Sequence, residues 1–354
     1  MLVDRQANRV YAYAYFKPPR KKVAMSETIN VGIDIGGTKA NIGLVTSAGK
    51  IVDSVRIPVP SNSGAEAFIE RLCQAVEQLI ESNGLTKEDC AFYGVGVPGT
   101  ADVKTGLVEY CPNLGWEDVP AGAMFRKYLG MDVLISQDSR LAAWAEYLLG
   151  AGRGYQSLIC IAVGTGIGGG IILDGKIFHG ALNTAGEIGH SVFEKDGRRC
   201  NCGNRGCLER YSSGTGMIER ALEAYAEKFV GRPHKAETMF ELAYCGDQDM
   251  LRLIRRVVED LAVGIANAVS ILSPEVVIIS GGLCTHDELI VKPLRELVNQ
   301  YGYHAWVRKK RLKIEKAQLG PEAPMIGAAL LYKAAMASSM NAARSFFNCA
   351  SDGR

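Results

Sequence analysis

Short apolar runs alternate with polar turns along most of the chain, a pattern typical of alternating strands and amphipathic helices. The runs VGIDIGGTKANIGLV (31–45) and IVDSVRI (51–57) predict three strands, of which the first two are joined by a glycine loop. Residues 64–82 carry apolar positions at helical spacing, and Asn83-Gly84 predicts the end of that helix. The run AFYGVGVPG (91–99) predicts a buried strand that ends in a loop.

The same alternation continues through the rest of the chain. The run MDVLISQD (131–138) predicts a strand, and a helix follows over 139–152 with Ser139 placed to cap it. Residues 157–178 predict a strand, a glycine loop and a second strand that turns back at Asp174-Gly175. The remaining predicted elements are helices at about 213–230 and 248–272, a strand over 276–283, a helix at about 322–338 and a frayed tail over 340–354.

Strands and helices in alternation indicate the α/β class, and a length of 354 residues fits two domains. The segments DIGGTK (34–39) and GTGIGGG (164–170) each close one strand and open another, which predicts two related halves. We predict a small α/β domain over 30–135, on which the C-terminal helix packs. A large α/β domain is predicted over 136–321, and it contains the cysteine-rich segment 187–209.

Charge separates the first residues from the rest of the chain. The formal net charge is +2, but residues 1–30 hold six basic and two acidic residues. The remaining 324 residues therefore hold 34 basic and 36 acidic ones, so the folded part is close to neutral and favours a small-molecule partner over nucleic acid. No run approaches about 18 apolar residues, which argues against a membrane span, and no apolar stretch follows Met1, which argues for a cytoplasmic protein.

Residues 1–29 are predicted to be a disordered extension. Their basic, proline-interrupted stretch VYAYAYFKPPRKKVA leads into Met25. One hypothesis is that Met25 is the natural initiator and that the preceding residues come from an upstream start. The other is that the extension is a disordered basic arm of the native protein.

The glycine loops are candidate phosphate sites. GTGIGGG matches the dinucleotide-binding spacing G-x-G-x-x-G, but the following IILDGKIF predicts a strand rather than the helix that such a site needs. Successive backbone N–H groups without side chains can still form a concave anion site. Asp34, just before the first loop, is placed to hold Mg²⁺ directly or through water. The predicted nucleotide-binding residues are Gly36, Gly37, Thr38, Lys39, Gly164, Thr165, Gly166, Gly168, Gly169, Gly281 and Gly282.

Four residues have the spacing of a zinc site, H-x9-C-x-C-x4-C: His190, Cys200, Cys202 and Cys207. Three thiolates and one imidazole complete a tetrahedral shell, so no position remains for a catalytic water and the zinc is predicted to be structural. Glu187 and Glu209 bracket this set, so a metal that fixes the ligands would also fix both carboxylates. The other seven cysteines are interpreted as small apolar residues in a reducing compartment.

Asp138 ends a predicted strand just before a predicted helix. The carboxyl edge of an open α/β sheet is where ligands bind, and a phosphoryl transfer to a hydroxyl needs a group that accepts its proton. From the residues alone, Asp138 is either a helix cap or such a general base.

Several segments together resemble the ROK family (repressors, open reading frames and sugar kinases). They are VGIDIGGTKANIGLV, GVGVPG, AVGTGIGGGIILDGKI, AGEIGH and CNCGNRGCLE, and the resemblance covers about residues 30–335. It implies the actin-like ATPase (ribonuclease H-like) fold, in which two α/β domains surround a central cleft that holds the active site. It also implies ATP with Mg²⁺ as phosphoryl donor, a hexose as acceptor, and a homo-oligomer of two or four chains.

The resemblance also implies roles for individual residues. DIGGTK and GTGIGGG would hold the phosphates, the SGGL turn would lie beside the adenosine, and Asp138 would be the general base. The family usually has Asn-Asp where this chain has Gln137-Asp138, which leaves the contact of that amide with the sugar undetermined. The implied sugar-binding residues are Gly99, Thr100, Asn113, Gln137, Asp138, Glu187, His190 and Glu209.

Glucose, phosphorylated on its 6-hydroxyl, is the expected substrate of a family member with AGEIGH and this zinc pattern. N-acetylmannosamine, N-acetylglucosamine and fructose kinases share nearly all of these residues and are the alternatives. A sugar-responsive repressor without its DNA-binding domain is a further alternative. Family repressors carry a winged helix-turn-helix before the kinase-like core, whereas about 30 residues without a two-helix pattern precede DIGGTK here.

Overall fold

A computed structural model describes residues 27–60, 64–303 and 312–336. The predicted extension, with its candidate initiator Met25, lies outside the described residues except for 27–29. The predicted tail over 340–354 lies entirely outside them. The chain divides into two compact units, one formed by the residues up to Ala145 together with those from Glu322 onward, the other by Glu146–Pro321.

The helices and strands follow one another in the order that an α/β chain requires. Through the first unit they are β1 (Ile29–Ile35), β2 (Lys39–Thr46), β3 (Ile51–Pro58), α1 (Ala65–Ser82), β4 (Cys90–Val97), β5 (Thr100–Asp102), β6 (Leu107–Cys111), β7 (Trp116–Val119), α2 (Ala121–Leu129), β8 (Leu134–Gln137) and α3 (Asp138–Leu149). They continue with β9 (Leu158–Val163), β10 (Ile167–Leu173), β11 (Lys176–Ile177), α4 (Glu209–Ser212), α5 (Gly214–Tyr225), α6 (Ala236–Tyr244), α7 (Gln248–Leu272), β12 (Val276–Ser280), α8 (Val291–Tyr301), β13 (Lys313–Lys316) and α9 (Ala323–Ala329).

The first unit is built on a five-stranded sheet in the order β3-β2-β1-β4-β8. The first three strands form an antiparallel meander, while β4 and β8 run parallel to β1. Every residue of β1 is buried, as expected for a central strand covered on both faces. Gln137 pairs with Val97 in this sheet, and the first unit extends to Ala145 before the second begins at Glu146.

The sheet of the second unit repeats that arrangement, in the order β11-β10-β9-β12-β13. Again a central strand, β9, pairs antiparallel with the next strand and parallel with a later one. The Asp174-Gly175 turn joins β10 to β11, and both of its residues have positive φ, as a tight hairpin turn requires. The prediction of two related halves is therefore confirmed.

Small residues in the first sheet let the C-terminal helix lie directly on it. A Cβ at Gly32 would be 2.1 Å from the Met325 carbonyl oxygen, and a Cβ at Gly94 would be 2.0 Å from that of Ala328. Helix α9 thus packs against β1 and β4 as closely as backbone allows. The C-terminal helix that the sequence predicts as one element is broken by a turn at 330–331 and resumes at 332–336, after which its predicted end lies outside the described residues.

Two other predicted elements differ in detail. Helix α3 begins at Asp138, so Ser139 lies inside the helix and is not its cap. The helix predicted at 213–230 is α-helical only over Gly214–Tyr225 and ends in a 3₁₀ turn at Ala226–Phe229. The small antiparallel sheet β5-β6-β7, whose strands have three to five residues, was not predicted from the sequence.

Within the described ranges, none of the helices combines the length and the apolar character that crossing a bilayer requires.

Candidate active site

In the first unit, the carboxyl ends of the parallel strands β1, β4 and β8 lie at one edge of the sheet. Asp34 is paired with Gly96, which is paired with Ser136, so the residues just before these strand ends form one row. The first glycine loop continues from β1, and Asp138 follows β8 directly. The structure therefore brings Asp34, the loop and Asp138 to the same edge of this sheet, and for Asp138 this is the position predicted from the sequence.

Asp138 occupies the first position of α3. Its Oδ1 accepts a hydrogen bond of 2.6 Å from the backbone N–H of Ser139. A carboxylate in the first turn of a helix lies at the positive end of the helix dipole, where a negative charge interacts favourably with the free backbone N–H groups. Gly96 makes room for this turn, because a Cβ there would be 2.9 Å from Leu141 Cδ1 and 3.6 Å from Asp138 Cα.

Asp34 is held by two residues that the sequence analysis did not single out. Asn41 Nδ2 donates to Asp34 Oδ2 at 3.1 Å, and Arg56 Nε donates to Asn41 Oδ1 at 2.8 Å. The three residues are direct cross-strand partners on β1, β2 and β3, so their side chains share one face. Arg56 fixes the orientation of the Asn41 amide, which directs its NH₂ group to the carboxylate.

Burial raises the pKa of the Asp34 carboxyl from 3.8 to about 6, against the lowering effects of the Asn41 hydrogen bond and the Lys39 charge. Burial disfavours the ionised form of this carboxylate, and a divalent cation beside it would stabilise that form, so Asp34 fits the predicted magnesium role.

Replacing Asp34 with asparagine is expected to stabilise the protein at alkaline pH. The pKa of Asp34 is higher in the folded state than in the unfolded chain, so the free energy of unfolding falls as pH rises through about 6. The ionised carboxylate lowers that free energy by about 3 kcal/mol at pH 8 and by about half as much at pH 5. Urea unfolding of Asp34→Asn in magnesium-free buffer, without a chelator that would remove zinc, measures this gain. An equal gain at both pH values would contradict the account.

Of the other predicted residues of the first unit, Asn113 lies close to the first glycine loop, whereas Gly99 and Thr100 lie against β6. Asn113 is exposed on a 3₁₀ turn, and a Cβ at Gly37 would be 3.8 Å from its Cβ. Gly99 packs against β6, since a Cβ there would be 2.3 Å from the Tyr110 carbonyl oxygen, and Thr100 pairs with Tyr110. Packing is therefore sufficient to explain Gly99, whereas Asn113 presents a polar side chain beside the loop.

In the second unit, two glycine turns lie next to each other at the carboxyl ends of the parallel strands β9 and β12. Residues 164–166 join β9 to β10, and Gly281-Gly282 follow β12. Gly281 has a φ of 90°, and a Cβ there would be 2.4 Å from the Val163 carbonyl oxygen. Gly168 and Gly169, predicted to belong to the phosphate loop, instead lie within β10, where they pair with Ala162 and Ile161.

The four predicted metal ligands converge in the second unit. Their ligand atoms all lie within 4.8 Å of one another. Cys202 Sγ is 3.6 Å from Cys207 Sγ, and Cys200 Sγ is 3.6 Å from His190 Nδ1. Tetrahedral zinc with bonds of about 2.3 Å to sulfur separates its ligands by about 3.8 Å, so this donor set fits Zn²⁺ in both chemistry and spacing.

Both bracketing carboxylates lie beside this set. Glu187 Oε2 is 4.0 Å from His190 Nε2, too far for a direct hydrogen bond but close enough for one hydroxyl to contact both. Glu209 Oε1 is 4.0 Å from Cys200 Sγ, while its Oε2 accepts a hydrogen bond from the backbone N–H of Ile167. The structure thus places Glu187 and Glu209 beside the metal ligands, one of which is His190, and one oxygen of Glu209 already accepts a hydrogen bond from the protein.

Comparison with known proteins agrees with this arrangement. The model of the ROK family matches residues 30–335. Glucokinase from Thermotoga maritima is 34% identical over 313 residues, which cover 86% of this chain and 96% of the relative. Glucokinase from Halalkalibacterium halodurans is 32% identical over 325 residues, with coverages of 87% and 96%. The crystal structure of a ROK family glucokinase from Streptomyces griseus in complex with glucose and AMPPNP matches with a TM-score of 0.74 at 31% identity, covering 86% of this chain and 98% of that one.

The two sheets of equal topology, together with these structural matches, define the actin-like ATPase (ribonuclease H-like) fold. The chain belongs to the ROK family, and within it the chain is an ATP-dependent sugar kinase. The resemblance stated from the sequence motifs is confirmed.

Proposed function

We propose that this protein transfers the γ-phosphoryl group of ATP to the 6-hydroxyl of glucose. The observation that carries the proposal is the position of Asp138, a carboxylate at the carboxyl edge of the sheet and at the first position of a helix. The two glucokinase relatives support glucose as the acceptor.

Asp138 acts as the general base. It accepts the proton of the 6-hydroxyl as that oxygen attacks the γ-phosphorus in line, and the phosphoryl group leaves ADP. The Ser139 N–H donates to Oδ1 and so fixes the orientation of the carboxylate, and in this proposal Oδ2 accepts the proton of the hydroxyl. Positioning and charge stabilisation supply most of the remaining acceleration.

Asp34 would hold the Mg²⁺ that accompanies ATP, directly or through water. The metal supplies charge neutralisation at the phosphate oxygens when it is bound. The protein's own contribution is to hold the carboxylate in place through Asn41, which is itself held by Arg56.

Glu187, His190 and Glu209 bind the sugar hydroxyls. A carboxylate accepts from two adjacent hydroxyls, and the imidazole nitrogen that does not bind the metal lies near Glu187. The zinc that His190, Cys200, Cys202 and Cys207 would hold is structural, because the four protein ligands complete its shell. Its effect on sugar binding is to keep these acceptors in one arrangement.

Kinetics with a panel of hexoses test the choice of substrate. In a coupled assay of ADP release, the kcat/KM for glucose is expected to be at least about tenfold above those for N-acetylglucosamine, N-acetylmannosamine and fructose. Each of the three differs from glucose at hydroxyl groups with which a polar site forms hydrogen bonds. A higher kcat/KM for any of the three would make that sugar, and not glucose, the proposed substrate. We also expect a homo-oligomer of two or four chains, as the resemblance implies, which sedimentation would test. A cytoplasmic location is expected as well.

A further inference from the structure

The second glycine turn, residues 164–166, is held from two sides by the segment that follows the last cysteine of the metal set. Glu209 Oε2 accepts a hydrogen bond of 2.8 Å from the N–H of Ile167, the residue that ends the turn. A Cβ at Gly166 would lie 2.4 Å from the same oxygen. The carboxylate therefore occupies the space where any other side chain at position 166 would be.

The N-terminus of α5 holds the other side of the turn. The N–H of Gly214 donates to the Gly164 carbonyl oxygen at 2.8 Å. The N–H and the hydroxyl of Thr215 both donate to the Thr165 carbonyl oxygen, at 3.2 and 2.9 Å. These bonds direct two carbonyl dipoles of the turn toward the helix and away from any anion on the other side.

This arrangement leaves two adjacent N–H groups for a ligand. Gly164 N–H is used within the turn, where it donates to the Gly166 carbonyl oxygen, and Ile167 N–H is used by Glu209. Within the described parts of the chain, the N–H groups of Thr165 and Gly166 form no hydrogen bond. Neighbouring N–H groups with this freedom are the donors that bind a phosphate group in a glycine turn.

The metal set is connected to the turn on both sides of Ile167. Cys207 is two residues before Glu209, and it is paired with Val192 in a short antiparallel bridge. Gly189, next to His190, packs on Ile167 of β10, since a Cβ at Gly189 would lie 2.1 Å from the Ile167 carbonyl oxygen. A metal ion bound by His190 and Cys207 would therefore also hold together the two segments that enclose Ile167.

We propose that Glu209 and Thr215 are positioning residues for the nucleotide, and that the zinc segment thereby sets the affinity for ATP as well as for the sugar. The role of the turn in binding phosphate rests on the proposed function. Glu209 then has two tasks: Oε2 shapes the turn, and its negative charge serves the sugar hydroxyls. The two tasks can be separated by substitution.

Isothermal titration of Mg-AMPPNP in the absence of sugar tests this role. Glu209→Gln keeps an oxygen that can accept from Ile167 N–H, so its Kd for AMPPNP is expected to stay within about twofold of wild type. Glu209→Ala removes the acceptor, and its Kd is expected to rise about tenfold. For glucose, both variants are expected to lose affinity, because both lack the carboxylate.

Thr215 gives a second, independent test. Thr215→Val keeps the shape but removes the hydroxyl bond to the Thr165 carbonyl, so the Kd for AMPPNP is expected to rise about fivefold. Thr215→Ser keeps the hydroxyl and is expected to restore wild-type affinity. Zinc content and melting temperature are measured on each variant, so that a change in affinity is separated from a loss of fold.

Wild-type AMPPNP affinity in both folded Glu209→Ala and Thr215→Val would overturn the positioning role. A wild-type protein that binds AMPPNP, with the expected changes in the variants, but phosphorylates no hexose would instead contradict the proposed function and leave this role standing. A wild-type protein that does not bind AMPPNP would overturn both.

Discussion

Replacement of Asp138 with asparagine is expected to lower kcat for glucose by about 10²–10⁴-fold, the range that a general base contributes. Asparagine has nearly the same shape and its oxygen still accepts the Ser139 N–H, so the Kd for glucose should change only a few-fold. Steady-state kinetics and calorimetry on the same preparation measure the two quantities separately.

The matched control for this variant is Asp132→Asn. Asp132 is an exposed carboxylate of the same unit that pairs with Arg126 at the surface, and such a pair contributes little to stability. Its kcat should therefore equal that of the wild type. A kcat within about threefold of wild type in Asp138→Asn would remove Asp138 from the role of base.

Substitution of Cys202 by serine is expected to remove the metal and to destabilise the second unit by roughly 3 kcal/mol or more, because the free energy of binding structural zinc is free energy of folding. Cys202 is exposed, so the smaller side chain itself creates no buried cavity. Elemental analysis should find about one zinc per wild-type chain and none in the variant, and thermal unfolding should show the loss of stability.

Cys245→Ser is the control for the zinc substitution, since Cys245 is also exposed and lies outside the metal set. It should retain zinc, melting temperature and activity. A wild-type preparation that is fully active without any metal in the cysteine set would contradict the structural zinc.

The pattern of apolar runs predicted those parts of the fold in which a strand is buried on both faces and a glycine turn marks its end. That is why β1, β2 and the β9–β10 pair were found with nearly correct limits. Strand β13 was missed because its sequence, KIEK, has a single buried residue and lies at a sheet edge. Helix α8, which was not predicted either, has Pro293 in its first turn, a position where proline is tolerated.

Spacing along the chain predicted the metal set, whose four ligands lie within eighteen consecutive positions from His190 to Cys207 and do converge. The row of Asp34, Asn41 and Arg56 depends on the register of three strands, which no local pattern reveals. The bond from Ile167 to Glu209 joins residues 42 positions apart, and it gives Glu209 a partner in the protein that its predicted contact with the sugar did not include.

The most direct test of the proposed reaction is the identity of its product. Zinc-loaded protein is incubated with Mg-ATP and glucose, and the product is examined by phosphorus–proton correlation NMR. We expect one phosphomonoester whose phosphorus couples to the two C6 protons, formed in a one-to-one ratio with ADP. Phosphorylation at another hydroxyl, or no glucose phosphate from protein that binds AMPPNP, would contradict the account.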